Sequence, residues 1–341
     1  MTTLYMQPWE GYLGTGVQTA GIGTSVAATK FQKITSASIK VIQPNITKVS
    51  AIQKSRANTS FTFGMKSVAG QISGPLIPDE MFMGHFWAFL LGGNNAVSGT
   101  GTTGYTHTFS ESVGDQLPTF GATIEKFMGG VDATMMSDYV GCFFNDMTLT
   151  VPETGPVELS TSILGRSETL GDTVATPTFV NKSPFERHHC VLSLGANLAS
   201  VSAVEFTSLT ISYANNLQLK TNGGSRFPVA AQWGVPEISL SFGFDLKASQ
   251  TILNYVRDNT ELAAKIVLTH PTLAGSSSGF HALTVNLPRV LFTGDLPDLS
   301  SPDAQAIPVT LNGMCIKEIG THNYAIQVVA TNSEIGTYAV N

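Results

Sequence analysis

The 341-residue chain is poor in charge: 12% of its residues are Asp, Glu, Lys or Arg, 42% are hydrophobic, and the formal net charge is −6. An average soluble domain carries roughly 25% charged residues, so this surface is built from Ser, Thr, Asn and Gly, as suits a subunit that covers itself with its own copies. Tight nucleic-acid binding is not expected, because it needs a basic face to neutralise phosphates, and the nearest approach to a cation cluster (Lys30, Lys33, Lys40, Lys48, Lys54, Arg56) is widely spaced.

The three cysteines, Cys142, Cys190 and Cys315, are far apart and form no CxxC. That argues against a disulfide framework and for synthesis in a reducing cytoplasm. Met1 to Tyr5 lacks the basic and apolar regions of a secretory leader. The most apolar run, Met81 to Leu91, is short of the ~20 residues that span a bilayer, so no membrane partner is expected.

In chain order, residues 1–33 are rich in Gly, Thr and Ala without periodicity and read as an extended N-terminal arm. Residues 34–165 then carry a series of elements that residues 204–316 repeat. Thr35-Ser36-Ala37-Ser38-Ile39-Lys40-Val41 resembles Thr207-Ser208-Leu209-Thr210-Ile211-Ser212-Tyr213, 172 residues on. Ser60-Phe61-Thr62-Phe63-Gly64-Met65 resembles Ser239-Leu240-Ser241-Phe242-Gly243-Phe244, 179 residues on. A predicted helix follows each: Asp79 to Leu91, with Pro78 and acids at its start and Gly92-Gly93 at its stop, and Ala248 to Asn259. A strand comes next in each half (Ala122 to Glu125; Ala264 to Leu268). A closing pair then follows: Met147 to Val151 with Val157 to Ile163, and Leu283 to Phe292 with Ile307 to Leu311. Repeated order at similar offsets predicts internal duplication. Between the repeats, 166–203 reads as a linker with room for one extra strand, and 317–341 as a C-terminal strand and arm.

The strands alternate. In Ser239 to Leu246, Leu240, Phe242, Phe244 and Leu246 share one face and small or polar residues the other, the period of a half-buried sheet. Phe61, Phe63 and Met65 are expected to face inward in the same way. The outward faces are small and nearly uncharged, as expected for a channel wall or a face packed on another subunit. The first helix is apolar nearly all round, which fits either a core helix or one covered by a neighbouring subunit.

Several stretches resemble the tail tube proteins of long, flexible-tailed bacteriophages. They are Trp9-Glu10-Gly11-Tyr12 leading to Gly21-Ile22-Gly23-Thr24, the passage Gly70 to Gly93, Gly104-Tyr105-Thr106-His107-Thr108-Phe109 with Leu117-Pro118-Thr119-Phe120, and Gly141 to Gly165 with its strand Asn145 to Val151. The resemblance covers about half the chain, mostly residues 9–165. It implies a mainly β fold: two tandem tail-tube-type β-sandwich or partial-barrel domains, each with one flanking α-helix. It further implies a structural, non-enzymatic subunit of the virion tail that self-assembles into stacked rings around a conduit for the genome. Family rings are six-fold with one domain per subunit, so two domains per chain predict a trimer with pseudo-six-fold symmetry. The implied partners are further copies, the tape measure, terminator and distal tail proteins, and double-stranded DNA in transit without specific binding.

Motifs for chemistry are weak. Gly14-Thr15-Gly16 begins a GxGxxG that fails at Thr19, and there is no GxxxxGK[ST], HExxH or GxSxG. His188-His189-Cys190 is the best metal candidate, but neighbours on a strand point to opposite faces, so no metal, cofactor or catalytic residue is expected. Glu153, Glu158, Glu237 and Asp245, on or beside predicted strands, are the lumen-facing candidates, where they would repel DNA. Trp9, Tyr12, Phe82, Phe86, Phe89, Asn94 and Asn95 are the inter-subunit candidates. The arm 1–33 or the loop 94–104 is expected to order only on docking to the next ring. The alternatives are a tail-terminator or contractile-system inner tube protein, and a carbohydrate-binding or carbohydrate-active β-sandwich.

Overall fold

The alternation becomes mainly antiparallel β-structure in a computed structural model, which describes residues 10–19, 21–42, 46–48, 61–92, 96–111, 121–129, 136–170, 173–246, 251–294, 307–335 and 338. A first series of elements comprises β1 (Tyr12–Val17), β2 (Lys30–Gln32), β3 (Ser36–Ala37), β4 (Lys40–Ile42), β5 (Ile46–Lys48), β6 (Phe61–Phe63), β7 (Ser67–Pro75), α1 (His85–Leu91), β8 (Ala96–Thr100), β9 (Gly104–Ser110), β10 (Ala122–Phe127), β11 (Met136–Phe144), β12 (Asp146–Val151), β13 (Glu158–Gly165) and β14 (Ser167–Leu170). A second comprises β15 (Cys190–Gly195), β16 (Ser202–Val204), β17 (Ser208–Ala214), β18 (Gln218–Lys220), β19 (Ala230–Gln232), β20 (Glu237–Asp245), α2 (Thr251–Arg257), β21 (Glu261–Leu273), β22 (Phe280–Thr293), β23 (Pro308–Cys315) and β24 (Gln327–Asn332).

Strand pairing runs through one order twice. In the first series β2 pairs β1, β1 pairs β10 and β10 pairs β11. The other edge of β11 then divides: β14 takes Ser137 to Val140 and β13 takes Phe143 and Phe144. From β13 the order continues to β7, then to β3 and β4. In the second series β16 pairs β15, β15 pairs β21 and β21 pairs β22. The other edge of β22 divides likewise, to β24 at Ala282 to Asn286 and to β23 at Val290 to Thr293. From β23 the order continues to β20 and β17. Each series also carries one two-stranded ribbon, β5–β6 and β18–β19.

The inward faces of both series contribute to one apolar cluster, with Ile72, Phe86 and Leu159 from the first and Leu240, Ile266 and Val285 from the second. A smaller cluster of Tyr12, Phe31, Phe127 and Met136 lies apart from it. β20 shows the expected alternation, with Ile238, Leu240, Phe242 and Phe244 buried and Glu237, Ser239 and Asp245 exposed.

Four expectations change. Phe63 and Met65 do not face inward; they are 58% and 44% exposed. The strand that holds the place of β20 is β7, and residues 61–63 belong to a ribbon outside the sheet. β7 hid its alternation because its inward row reads Val68, Gly70, Ile72, Gly74. A Cβ on Gly70 would stand 2.4 Å from the Ile39 Cα, and one on Gly74 2.6 Å from the Lys33 carbonyl oxygen, since the backbone just before and just after β3 closes on those two places. The stretch 1–33 is not all arm: β1 and β2 lie within it, and Leu13 is fully buried. The linker 166–203 holds three strands, β14, β15 and β16. The loop 94–104 enters a paired hairpin, β8–β9.

Candidate assembly surface

Among the described residues, three joints between the first series and the second bear on assembly. At the first, all six residues of β12 pair with β17, from Asp146 opposite Ala214 to Val151 opposite Leu209. Alternation supplies the apolar side of this joint: Met147, Leu149 and Val151 on one strand and Tyr213, Ile211 and Leu209 on the other are at most 2% exposed. Asn145 and Asn215 lock its end. The Asn215 N–H donates to the Asn145 carbonyl at 2.7 Å, the Leu217 N–H donates to Asn145 Oδ1 at 2.8 Å, and Asn215 Nδ2 donates to the Leu90 carbonyl at 2.9 Å.

At the second joint β9 pairs β24. His107 and Asn332, both fully buried, lie 3.0 Å apart through Nε2 and Oδ1. Asn332 Nδ2 donates to the Tyr338 hydroxyl at 2.7 Å and to the Met83 carbonyl at 3.3 Å. Burial holds the His107 imidazole below its ordinary pKa, against the pull of the Glu334 carbonyl and Asn332. Tyr338 also stands edge-on to His85 at 5.1 Å, and His85 is pushed down to about 4 by burial, with Lys30 adding to it. Nearby, Asp79 has a left-handed backbone (φ 63°) and accepts the Ser333 N–H at 2.8 Å. Burial raises the Asp79 carboxyl, but its bonds to Lys182 and Ser333 and the nearby His281 outweigh that and hold it below the usual value.

At the third, the ribbons meet. The Arg226 guanidinium reaches the Gly64 carbonyl at 3.3 and 3.4 Å and lies 5.3 Å above the Phe63 ring. The Lys66 N–H donates to the Arg226 carbonyl at 2.8 Å.

These joints leave the first series unfinished where the second is complete. β17 has β20 on one edge and β12 on the other, whereas among the described residues β3 and β4, which hold the same place, pair β7 alone. β24 has β22 and β9, whereas β14 pairs β11 alone among the described residues. Leu170, at the end of β14, is 65% exposed. Open sheet edges present unpaired N–H and C=O groups, which template pairing with another chain.

Of the acidic candidates, all four are exposed. Glu153 sits in the turn between β12 and β13 and Glu158 begins β13. Glu237 and Asp245 stand at opposite ends of β20, roughly 25 Å apart at ~3.3 Å per residue. Glu153 and Asp245 line one cleft of about 940 Å³, together with Glu186, Arg187 and Glu205. Glu158 and Glu237 lie outside it.

The aromatic inter-subunit candidates are placed differently. Phe82, Phe86 and Phe89 are buried within their own chain, at 0, 0 and 3% exposure. Phe86 and Phe89 pack on Phe144 at 5.3 and 5.9 Å. Of the two readings of this helix, the core helix is what folds, because β11 already covers it. Tyr12 is also buried; its hydroxyl donates to the Glu125 carboxylate and accepts the Ala175 N–H at 2.8 Å. Burial, with Glu125 adding to it, pushes that phenol well above its ordinary pKa. Trp9, Asn94 and Asn95 lie outside the described residues. His188 and His189 sit in a short 3-10 turn before Cys190. Among the described residues no three His, Cys, Asp or Glu side chains are grouped to hold a metal ion, and no helix is long and apolar enough to cross a membrane. Sequence reasoning missed Arg226, Asn332 and Tyr338; Asn332, a polar residue closing an apolar strand, was the one with a visible signal.

A charge-poor, mainly β chain with deep apolar joints and unfinished edges belongs to the class of structural subunits. The family model of the phage tail tube protein matches residues 10–315, and the chain belongs to that family. It is thus a structural component of a bacteriophage tail. A search of curated proteins finds no match.

Proposed function

We propose that the chain is the tube-forming subunit, whose copies join head to tail into rings that stack into a hollow conduit for the genome. One observation carries the reading: a single pairing order runs twice and its first run is joined to its second through β12 and β17. We read the two runs as tandem tube domains. The internal joint is heterologous, since different edges meet. Such contacts close into a ring or propagate as a filament. Three chains of two domains give a trimer with pseudo-six-fold symmetry. The open edge of β3–β4 is then where a second copy supplies the strand that β12 supplies to β17. The exposed acids Glu153, Glu158, Glu237 and Asp245 are candidates for the lumen wall, where negative charge keeps passing DNA from sticking. Tape measure, terminator and distal tail proteins are the other partners. The three cysteines are buried free thiols, which suits assembly in a reducing host cytoplasm.

Electron microscopy of the purified protein tests this reading. Long hollow polymers are expected; isolated rings favour a terminator-like role, and monomers at high concentration overturn self-assembly. Val41→Pro tests the edge. The Ser38 N–H donates to the Gln71 carbonyl, and bonded pairs alternate in an antiparallel ladder. The Lys40–Ala69 pair is therefore bonded, and the Val41 N–H points away from β7. The variant is expected to keep the wild-type circular dichroism spectrum and to form no tubes. Normal tubes from it exclude this edge from the joint.

A further inference from the structure

We infer that Asn222 is a site of spontaneous covalent modification: the Gly223 backbone nitrogen closes on the Asn222 side-chain amide and converts this asparagine to aspartate and isoaspartate as the virion ages. An Asn-Gly step favours this chemistry, because glycine sets no Cβ against the ring that must close. The sequence contains two such steps, Asn222-Gly223 and Asn312-Gly313, and the fold treats them oppositely.

Asn222 lies in the loop between β18 and β19, where Thr221, Asn222, Gly223 and Gly224 are all exposed. The Val229 N–H closes the base of the loop on the Lys220 carbonyl at 2.8 Å, and within it the Ser225 N–H reaches the Asn222 carbonyl at 3.3 Å. Among the described residues no hydrogen bond holds the Asn222 side chain or the Gly223 N–H. A Cβ on Gly223 or Gly224 would meet nothing within 4 Å. The side-chain carbon can therefore turn onto the following nitrogen without displacing a neighbour. Asn312 is exposed as well, but it belongs to β23, which β20 and β22 flank. The Leu246 N–H donates to the Ile307 carbonyl at 2.9 Å, and bonded pairs alternate along an antiparallel ladder. The Gly313 N–H is therefore bonded to Leu240, its partner in register. The Thr293 hydroxyl donates to the Asn312 carbonyl at 3.2 Å, and a Cβ on Gly313 would stand 2.5 Å from Val290. Ring closure at Asn312 has to part β23 from β20 first.

The step balances with water as the one co-reactant. The Gly223 nitrogen bonds to Asn222 Cγ and gives up its proton, and the side-chain amide leaves as ammonia. Water then opens the cyclic imide at either carbonyl. One opening gives aspartate, and the other gives isoaspartate, whose backbone runs through Cβ. Either product makes a chain of formal charge −6 one unit more negative. The new carboxylate stands in the loop that carries Arg226 to the Gly64 carbonyl. A tail subunit is not renewed once the particle is built, so the change accumulates.

Storage of the purified full chain in heavy-oxygen water at mildly alkaline pH, followed by tryptic mapping in ordinary water, tests the inference. The peptide from Thr221 to Arg226 is expected to split into two acidic forms, each with one heavy oxygen, while the peptide from Val290 to Lys317 keeps its asparagine. In urea both peptides are expected to convert, which assigns the protection of Asn312 to the fold. An unconverted Asn222, an Asn312 that converts as fast in the folded chain, or an Asn312 that stays intact in urea overturns the inference. Gly223→Ala leaves the loop in place, since the added Cβ meets nothing within 4 Å, and is expected to lose most of the conversion. Conversion of that variant at the wild-type rate would mean direct attack by water and overturn ring closure.

Discussion

α1 and α2 occupy the same place in the two series and have the same length, yet only one is a core helix. α1 is buried at Phe86, Trp87, Ala88, Phe89, Leu90 and Leu91. Position for position, α2 offers Ile252, Leu253, Asn254, Tyr255, Val256 and Arg257, of which Leu253 is buried and Asn254 and Arg257 are exposed. The cause is location. α1 lies at the joint, where Asn215 of the second series binds the Leu90 carbonyl and Tyr338 stands against His85. α2 rests on β22, within its own series. A helix enclosed on all sides must be apolar all round, and one with a free face is amphipathic. The composition of the two helices therefore marks which face of each series the chain itself has covered.

The sharpest way to break this comparison is to truncate the same position in both helices. Phe89→Ala removes a ring packed on Phe144 at 3% exposure. It is expected to cost about 3–5 kcal/mol, the range for large-to-small changes in a core. Tyr255→Ala, at the corresponding but only half-buried position, is expected to cost about 1 kcal/mol, as most single changes do. Urea unfolding of the unassembled chain measures both. Equal losses would mean that α2 is as enclosed as α1, which would remove the reason for a free face.

How legible each region was follows the same division. β20 could be read from its residues because Ile238, Leu240, Phe242 and Phe244 fill its inward row with bulk. β7 could not, because the close approach of the Ile39 and Lys33 backbone demands Gly70 and Gly74 at two of its inward places. Phe61-Thr62-Phe63 alternates better and so looks more like a core strand than β7 does. The strands within 1–33 and 166–203 were missed for a related reason. β1 buries Gly14, Thr15 and Gly16, so small and polar residues face inward where a neighbouring segment lies directly on the sheet. The mainly β class and the order of the elements were legible, since they rest on period and turn chemistry. The joints were not: Arg226 and Asn332 act across separations of 162 and 225 residues, which no local pattern reports.

A second contrast between the helices is their response to acid. His85 opens α1, and burial, with Lys30 adding to it, depresses its pKa to about 4. Thr251, at the same place in α2, does not titrate. An unfolded histidine takes its proton below about pH 6.5, while the folded one stays neutral down to about 4. Stability contributed by the neutral form is thus complete above pH 6.5 and is lost as pH falls from there toward 4. The total is on the order of 3 kcal/mol for this group. His107, also held down by burial, acts in the same direction. Unfolding midpoints of wild type and His85→Gln at pH 7, 5.5 and 4.5 measure the difference. The variant is expected to lose less stability on acidification, and parallel pH profiles would clear His85 of the effect.

The smallest expected effect separates the two ribbons. Arg226 binds the Gly64 carbonyl and lies over Phe63 within one chain, so Arg226→Ala should weaken the isolated chain. An exposed cation–π contact is worth about 0.5–1 kcal/mol, and the bond to the carbonyl brings the expected loss to about 1 kcal/mol. Thermal melting below the assembly concentration measures that loss. A midpoint equal to that of wild type would mean that the two ribbons touch without holding each other.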